Sequence, residues 1–141
     1  MAITQTMTTS FKLDLLKGDI DFDTDTIKIA LYDNTATLDA TTAAYTATNE
    51  VSSTNYSAGG NTLAGTATTT SDGAAYVDFN DTTWSNVSFT TRGALIYKYI
   101  DASTSKSIAV LDFGSDKTVT NGTFTVTFPA FNSTSAIIRI E

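Results

Sequence analysis

Threonine fills about a fifth of this 141-residue chain, and much of it alternates with apolar residues. Its branched side chain loses rotamer freedom on a helix but fits the pleated surface of a strand. Segment 123–128 shows the pattern without interruption, with Phe124, Val126 and Phe128 on one face and threonines on the other. Repeated alternation of this kind predicts an all-β fold.

Seven or eight strands are expected, with turn signals spaced about 8–12 residues apart, as in β-sandwiches. The clearest strands are 26–32, 74–79 and 93–100, and Asp72-Gly73 predicts a tight turn before the second of them. Further strands are expected at 61–70, 82–90, 107–113, 123–128 and 136–140, with a loop between Gly114 and Gly122. The pattern fits a single antiparallel β-sandwich or a jelly roll and leaves both open.

One short helix is predicted before the first strand, over residues 11–17. Ser10 is the expected N-cap, and Gly18 is placed to end the helix in the left-handed conformation. Phe11 and Leu15 are predicted to point inward, with Leu13 or Leu16 beside them.

Residues 1–9 are polar and rich in threonine, which predicts an N-terminal arm ahead of one β-sandwich domain over 10–141. The first residues lack the basic and then apolar pattern of a secretory signal. No apolar run approaches the roughly 18 residues of a membrane span, so no membrane association is expected.

The composition disfavours several kinds of chemistry. The chain has no His and no Cys, so the usual neutral-pH base, the thiol nucleophile and thiolate metal sites are missing. A carboxylate pair for glycoside cleavage stays open, although nothing singles out a pair. The net charge of −7, with scattered basic residues, disfavours nucleic acid as a partner. We therefore predict a protein that is not an enzyme, without catalytic residues or cofactor.

The densest charge cluster alternates along the chain at Asp19, Asp21, Asp23 and Asp25. A calcium loop of the EF-hand type also needs Gly at its sixth place and Glu at its twelfth, and those places hold Thr24 and Ala30. The run is therefore interpreted as a solvated acidic edge that discourages strand pairing, and cation binding stays open.

Aromatic residues lie mainly within the predicted strands, where they are expected to fill the core. A surface for stacking sugars would need several of them exposed on one face, so a glycan ligand is a weaker alternative. The residues concerned are Phe79, Trp84, Tyr97, Tyr99, Phe113, Phe124 and Phe128.

The order of short motifs resembles a family of small virion structural proteins encoded among the head and tail genes of tailed bacteriophages. The resemblance runs from about residue 10 to the end of the chain, and its motifs are structural. It rests on Leu15-Leu16-Lys17-Gly18, Asp25-Thr26-Ile27-Lys28-Ile29-Ala30-Leu31-Tyr32, Tyr56-Ser57-Ala58-Gly59-Gly60, Thr91-Arg92-Gly93-Ala94-Leu95-Ile96-Tyr97 and Leu111-Asp112-Phe113-Gly114.

The resemblance implies location in the virion. The first expectation is a capsid decoration (cement) protein that binds the major capsid protein on the outer shell, as a homo-oligomer with a trimer favoured. The second is a tail, baseplate or fibre adaptor that contacts other virion proteins or the host. A cellular adhesin module and a carbohydrate-active enzyme are less favoured alternatives. The N-terminal arm and the helix are the expected contact segments.

Overall fold

The computed structural model describes residues 2–101 and 103–141. Met1, in the predicted arm, and Ala102, after the predicted strand 93–100, lie outside the described residues. Within them the elements follow in the order β1 (Thr6–Met7), α1 (Thr9–Lys17), β2 (Ile27–Tyr32), β3 (Asn61–Thr62), β4 (Ala67–Ser71), β5 (Ala74–Asp78), β6 (Thr82–Lys98), β7 (Lys106–Val126) and β8 (Ile138–Ile140).

The strands form two antiparallel sheets that share a core. The larger sheet has the order β1-β7-β6-β2-β3, and the smaller has the order β4-β5-β8. Val77 and Ile138 of the smaller sheet belong to the same buried cluster as Ile29 and Ile96 of the larger one. The predicted all-β sandwich with one short N-terminal helix is confirmed.

Strand β2 is buried on both faces, because a second layer covers the larger sheet. Ile27, Ile29 and Leu31 face the cluster between the sheets, as predicted. Ala30 and Tyr32 face the other way and are also fully buried. Leu38 and Tyr45, from the long segment between β2 and β3, pack on that second face. The segment therefore lies over the sheet as part of the core.

The two longest strands join pieces that the sequence pattern separated. Strand β6 unites the predicted segments 82–90 and 93–100, and β7 runs through the predicted loop between Gly114 and Gly122. The β6–β7 register shifts at four places, and one shift lies between Thr91 and Gly93. Gly114 and Asn121 have φ of 80° and 47°, so these turn-favouring residues form bulges in a continuous strand.

The hairpin between β4 and β5 follows the prediction. Asp72 and Gly73 have φ of 53° and 80°, the positive values that a tight two-residue turn requires. They connect Ser71 to Ala74, which pair directly across the hairpin.

The N-terminal residues differ from the expected loose arm. Thr6 and Met7 form β1 and pair with Val110 and Ala109 of β7. Ile3 is buried against Leu38 of the second cluster. The segment is therefore anchored by strand pairing and by one buried isoleucine, which its polar composition does not indicate.

Candidate interaction surface

Helix α1 is fixed at both ends by neighbouring residues. Thr8 is the N-cap, because its Oγ1 accepts a hydrogen bond from the N–H of Phe11 at 3.3 Å. Gly18 ends the helix with φ of 75°, as predicted. The prediction of Ser10 as N-cap is wrong; its Oγ lies 2.9 Å from Ser107 Oγ on β7 instead. These contacts hold α1 in one orientation on the larger sheet.

The faces of α1 also differ from the prediction. Phe11 is buried and Leu15 is half-buried, as expected. Asp14 takes the other inward position, where its Oδ1 lies 3.2 Å from the Lys106 Nζ of β7. Leu13 and Leu16 consequently point away from the core, with exposed fractions of 55% and 88%.

Lys106 connects α1 to the segment after it. Its Nζ also lies 3.3 Å from Asp19 Oδ2. Hydrogen bonds to Asp14 and then Asp19 raise the pKa of Lys106, so the ammonium form is favoured here. This charge cluster joins distant parts of the chain and stabilises the orientation in which Leu13 and Leu16 point outward.

A groove separates α1 from the smaller sheet. It has a volume of about 370 Å³ and is lined by Phe11 and Leu15 on one side and by Val77 and Ile138 on the other. Phe22, which packs edge-on against Phe11 at 6.0 Å between ring centroids, also lines this groove. The lining is mainly apolar, so the core of the sandwich opens to the surface here.

A second groove of about 390 Å³ adjoins the first and shares Phe11 and Leu15 of α1 with it. Its lining includes Met7, Lys12, Leu16 and Ile140. Ile140 belongs to both grooves and is 46% exposed. Strand β8, which carries Ile140, is an edge strand hydrogen-bonded to β5.

We name the two grooves, with Leu16 in the lining of the second, the α1–β8 surface. Monomeric proteins seldom leave contiguous apolar patches open, and those that exist often bind partners. The α1–β8 surface is therefore the candidate functional site of this chain.

The four aspartates at 19–25 are not gathered into one site. Asp25 Oδ2 lies 3.0 Å from Lys98 Nζ, and Asp19 pairs with Lys106. Asp21 Oδ1 accepts a hydrogen bond from the Asp23 N–H at 2.9 Å, which closes a local turn. Across residues 2–101 and 103–141, no group of three acidic residues has the arrangement of a metal site.

Glu50 forms a polar contact that the sequence pattern does not reveal. Its Oε1 accepts hydrogen bonds from Tyr56 Oη at 2.7 Å and from the Gly59 N–H at 2.8 Å, and its Oε2 accepts one from Tyr45 Oη at 2.6 Å. Burial, with smaller contributions from Glu50, raises the pKa of Tyr56. The one sequence signal that points to Glu50 is the scarcity of Glu, since the chain has only Glu50 and Glu141.

The predicted strand aromatics pack largely in the core. Phe79, Trp84, Tyr97 and Phe128 are buried, while Phe113 and Phe124 are half-buried. Tyr99 is the exposed one of the seven, with Lys28 Nζ 5.0 Å from its ring centroid. These seven side chains therefore do not present a shared stacking face.

No helix in the described part of the chain is long and apolar enough to cross a membrane. Comparison with protein-family models, with curated proteins and with solved structures finds no match to this chain.

Proposed function

We propose that this chain is a structural protein of a tailed-bacteriophage virion, most specifically a decoration protein bound to the outer face of the capsid. The motif order from Leu15 to Gly114 supports membership of that family by resemblance. The observation that carries a contact role is the α1–β8 surface, where Leu16 and Ile140 are exposed beside two apolar grooves. The proposed role is to join capsid subunits by added contacts and involves no catalysis.

The construction of the fold suits such a role. The structure is held by a core on both faces of β2 and by the Glu50 contacts, in a chain without cysteine. The net charge of −7 favours solubility before assembly. Helix α1 is rigidly mounted through Thr8 and Lys106, so its exposed face meets a partner with little loss of conformational entropy.

The test is the location and copy number of the protein in purified virions. A decoration protein should appear in a stained gel at a copy number comparable with that of the major capsid protein. A particle image should then show it on the shell. A copy number far below that of the capsid protein would favour the tail-adaptor alternative. Absence from purified particles would overturn both.

A binding experiment examines the surface itself. Purified protein is added to particles that lack it, and the bound fraction is measured after sedimentation. Leu16→Glu should reduce the bound fraction, because it places a charge in the apolar contact. Ile100→Glu is the matched control, since Ile100 is 45% exposed and lines neither groove. Equal binding by both variants would show that the α1–β8 surface does not contact the capsid.

A further inference from the structure

Asn121 is the one asparagine of the chain that is followed by glycine. It lies where the β6–β7 register shifts between Val87 and Phe89, so that two residues of β7 oppose the single residue Ser88 of β6. A bulge of this kind interrupts the regular hydrogen-bond ladder between two strands. Asn121 is exposed and has a φ of 47°. Its side chain therefore lies at a solvated, irregular point of an otherwise continuous strand.

Ser88 holds the carbonyl side of the Asn121 amide. The Asn121 N–H donates a hydrogen bond to Ser88 Oγ at 2.8 Å, and Ser88 Oγ donates one to Asn121 Oδ1 at 3.3 Å. Asn121 Nδ2 makes no hydrogen bond within the described part of the chain. A donor on Oδ1 makes Cγ more electrophilic, while Nδ2 is in a position to depart into solvent.

Gly122 leaves the approach to that carbon open. The backbone nitrogen of the following residue is the nucleophile closest in the chain to an asparagine Cγ, and it reaches Cγ by a local rotation of the backbone. Gly122 has no side chain to obstruct this rotation and more backbone freedom than any other residue. An exposed Asn-Gly pair at a bulge thus combines the conditions under which asparagine is thermolabile.

We propose that Asn121 is a site of spontaneous deamidation in the folded chain. The Gly122 nitrogen forms a bond to Asn121 Cγ and gives up its proton, while the Cγ–Nδ2 bond breaks and Nδ2 leaves as ammonia. The product is a cyclic imide, a succinimide. Water then adds to one of the two ring carbonyls and opens the ring to aspartate or to isoaspartate. Solvent water is the only co-reactant.

Asn86 provides an internal comparison. It is also exposed, has a φ of 54°, and lies at a register shift of the same ladder, between Trp84 and Val87. The residue after it is Val87, whose branched side chain is stiff and obstructs attack by the backbone nitrogen. We therefore expect Asn121 to deamidate much faster than Asn86, although both have a left-handed backbone.

The reaction would change both the charge and the backbone of β7. Either product adds one negative charge to a chain whose net charge is already −7, and isoaspartate also adds one methylene to the main chain at the bulge. This inference goes beyond the proposed function and does not depend on it, because the reaction needs only the folded chain and water. In a protein that is not replaced after assembly, the modified form accumulates with age.

The test is peptide mapping by tandem mass spectrometry after incubation of the folded, full-length chain at mildly alkaline pH. Asn121 should convert about tenfold or more faster than Asn86, with both aspartate and isoaspartate as products. The modified chain should bind more strongly in anion exchange because of its added negative charge. The urea-denatured chain supplies the reference rate. Equal conversion of the two asparagines, or an intact Asn121 in the folded chain after the denatured chain has converted completely, would overturn the proposal.

Gly122→Ala tests the mechanism. The added methyl group should slow conversion of Asn121 by about tenfold and leave Asn86 unchanged. Its Cβ would lie 3.1 Å from Val119 Cγ2, so circular dichroism must first show that the variant is folded. If it does not fold, Asn121→Gln at the same exposed site replaces it, and the more acidic species should then no longer form. Unchanged conversion in Gly122→Ala, or persistence of the acidic species in Asn121→Gln, would contradict attack by the Gly122 nitrogen on Asn121.

Discussion

Asp78 is a buried carboxylate that is only half satisfied. It lies at the end of β5 with 4% of its surface exposed. Its Oδ1 accepts a hydrogen bond from the Phe79 N–H at 2.9 Å, while Oδ2 has no hydrogen-bond partner within the described residues. Burial raises the pKa of Asp78, and the charge of Asp81 adds a smaller contribution.

The pH dependence of Asp78→Asn follows from that shift. Because the pKa of the carboxyl is higher in the folded state than in the unfolded state, Asp78 stabilises the fold at low pH. This contribution is lost as pH rises through the raised pKa. Asp78→Asn should therefore increase the free energy of unfolding at neutral pH by about 1–3 kcal/mol, and the difference should shrink near pH 3. Urea denaturation at both pH values measures it.

The pKa of Asp101 is shifted in the opposite direction from that of Asp78. The Ser103 N–H, the Thr104 and Ser103 side chains and the Thr104 N–H lower its pKa to about 2. Its contribution is present above the unfolded pKa and is lost as pH falls toward 2, so Asp101→Asn should be less stable than wild type at neutral pH. The same sign of change for both variants would contradict the two pKa directions.

Glu50 joins separate parts of the segment between β2 and β3 through three hydrogen bonds. Glu50→Gln replaces one acceptor oxygen by an NH₂ group, so at least one of the donors Tyr45, Tyr56 and Gly59 loses its acceptor. We expect the free energy of unfolding to fall by about 1–3 kcal/mol. Glu141→Gln at the exposed end of the chain is the matched control. No difference between the two variants in urea denaturation would show that the contact is not stabilising.

At the scale of elements, alternation predicted the strands but not their continuity. Segment 26–32 corresponds to β2, and the Asp72-Gly73 turn stands where it was expected. Gly114 and Asn121 are turn residues by composition, yet β6 pairs with β7 on both sides of each, which makes them bulges. The pairing partner of a strand decides between turn and bulge, and it lies far away in sequence.

Dependence on partners that are distant in sequence also explains why the periodicity did not predict the inward position of Asp14 at the α1–β8 surface. Periodicity placed Phe11 and Leu15 inward correctly. It could not place Asp14 inward, because the stabilising Lys106 is far along the chain on β7. With Phe11, Asp14 and Leu15 inward, the helical period turns Leu13 and Leu16 outward, and the ion pair with Lys106 stabilises this orientation.

A substitution at Ile3 tests whether the N-terminal segment is loose, as its composition predicts, or anchored, as the structure shows. A loose arm would tolerate truncation of Ile3 without change, whereas the structure buries Ile3 against Leu38. Ile3→Ala should lower the free energy of unfolding by about 2–5 kcal/mol. Thr4→Ala, at the exposed neighbouring position, should change it by less than about 0.5 kcal/mol. Equal stability of the two variants in urea would support a loose arm.

For the molecule as a whole, stability should be concentrated in the larger sheet. The middle of β2, β6 and β7 is covered on both faces, by the cluster between the sheets and by the second cluster around Tyr32, Leu95 and Val110. The smaller sheet is covered on one face, and its edge strand β4 has exposed side chains from Thr68 to Ser71. Because the central strands are covered on both faces, their local opening exposes far more apolar surface than the opening of β4 does.

Hydrogen exchange under native conditions measures this distribution. Backbone amides of Ala30, Ile96 and Val110 should exchange only through global unfolding, because their strands cannot open separately. Amides within β4 should exchange through local opening, with protection factors lower by several orders of magnitude. If the amides of β4 were protected as strongly as those of β6, the two sheets would unfold as one unit. Since the α1–β8 surface lies between α1 and the smaller sheet, a partner bound there should slow exchange most in β5 and β8.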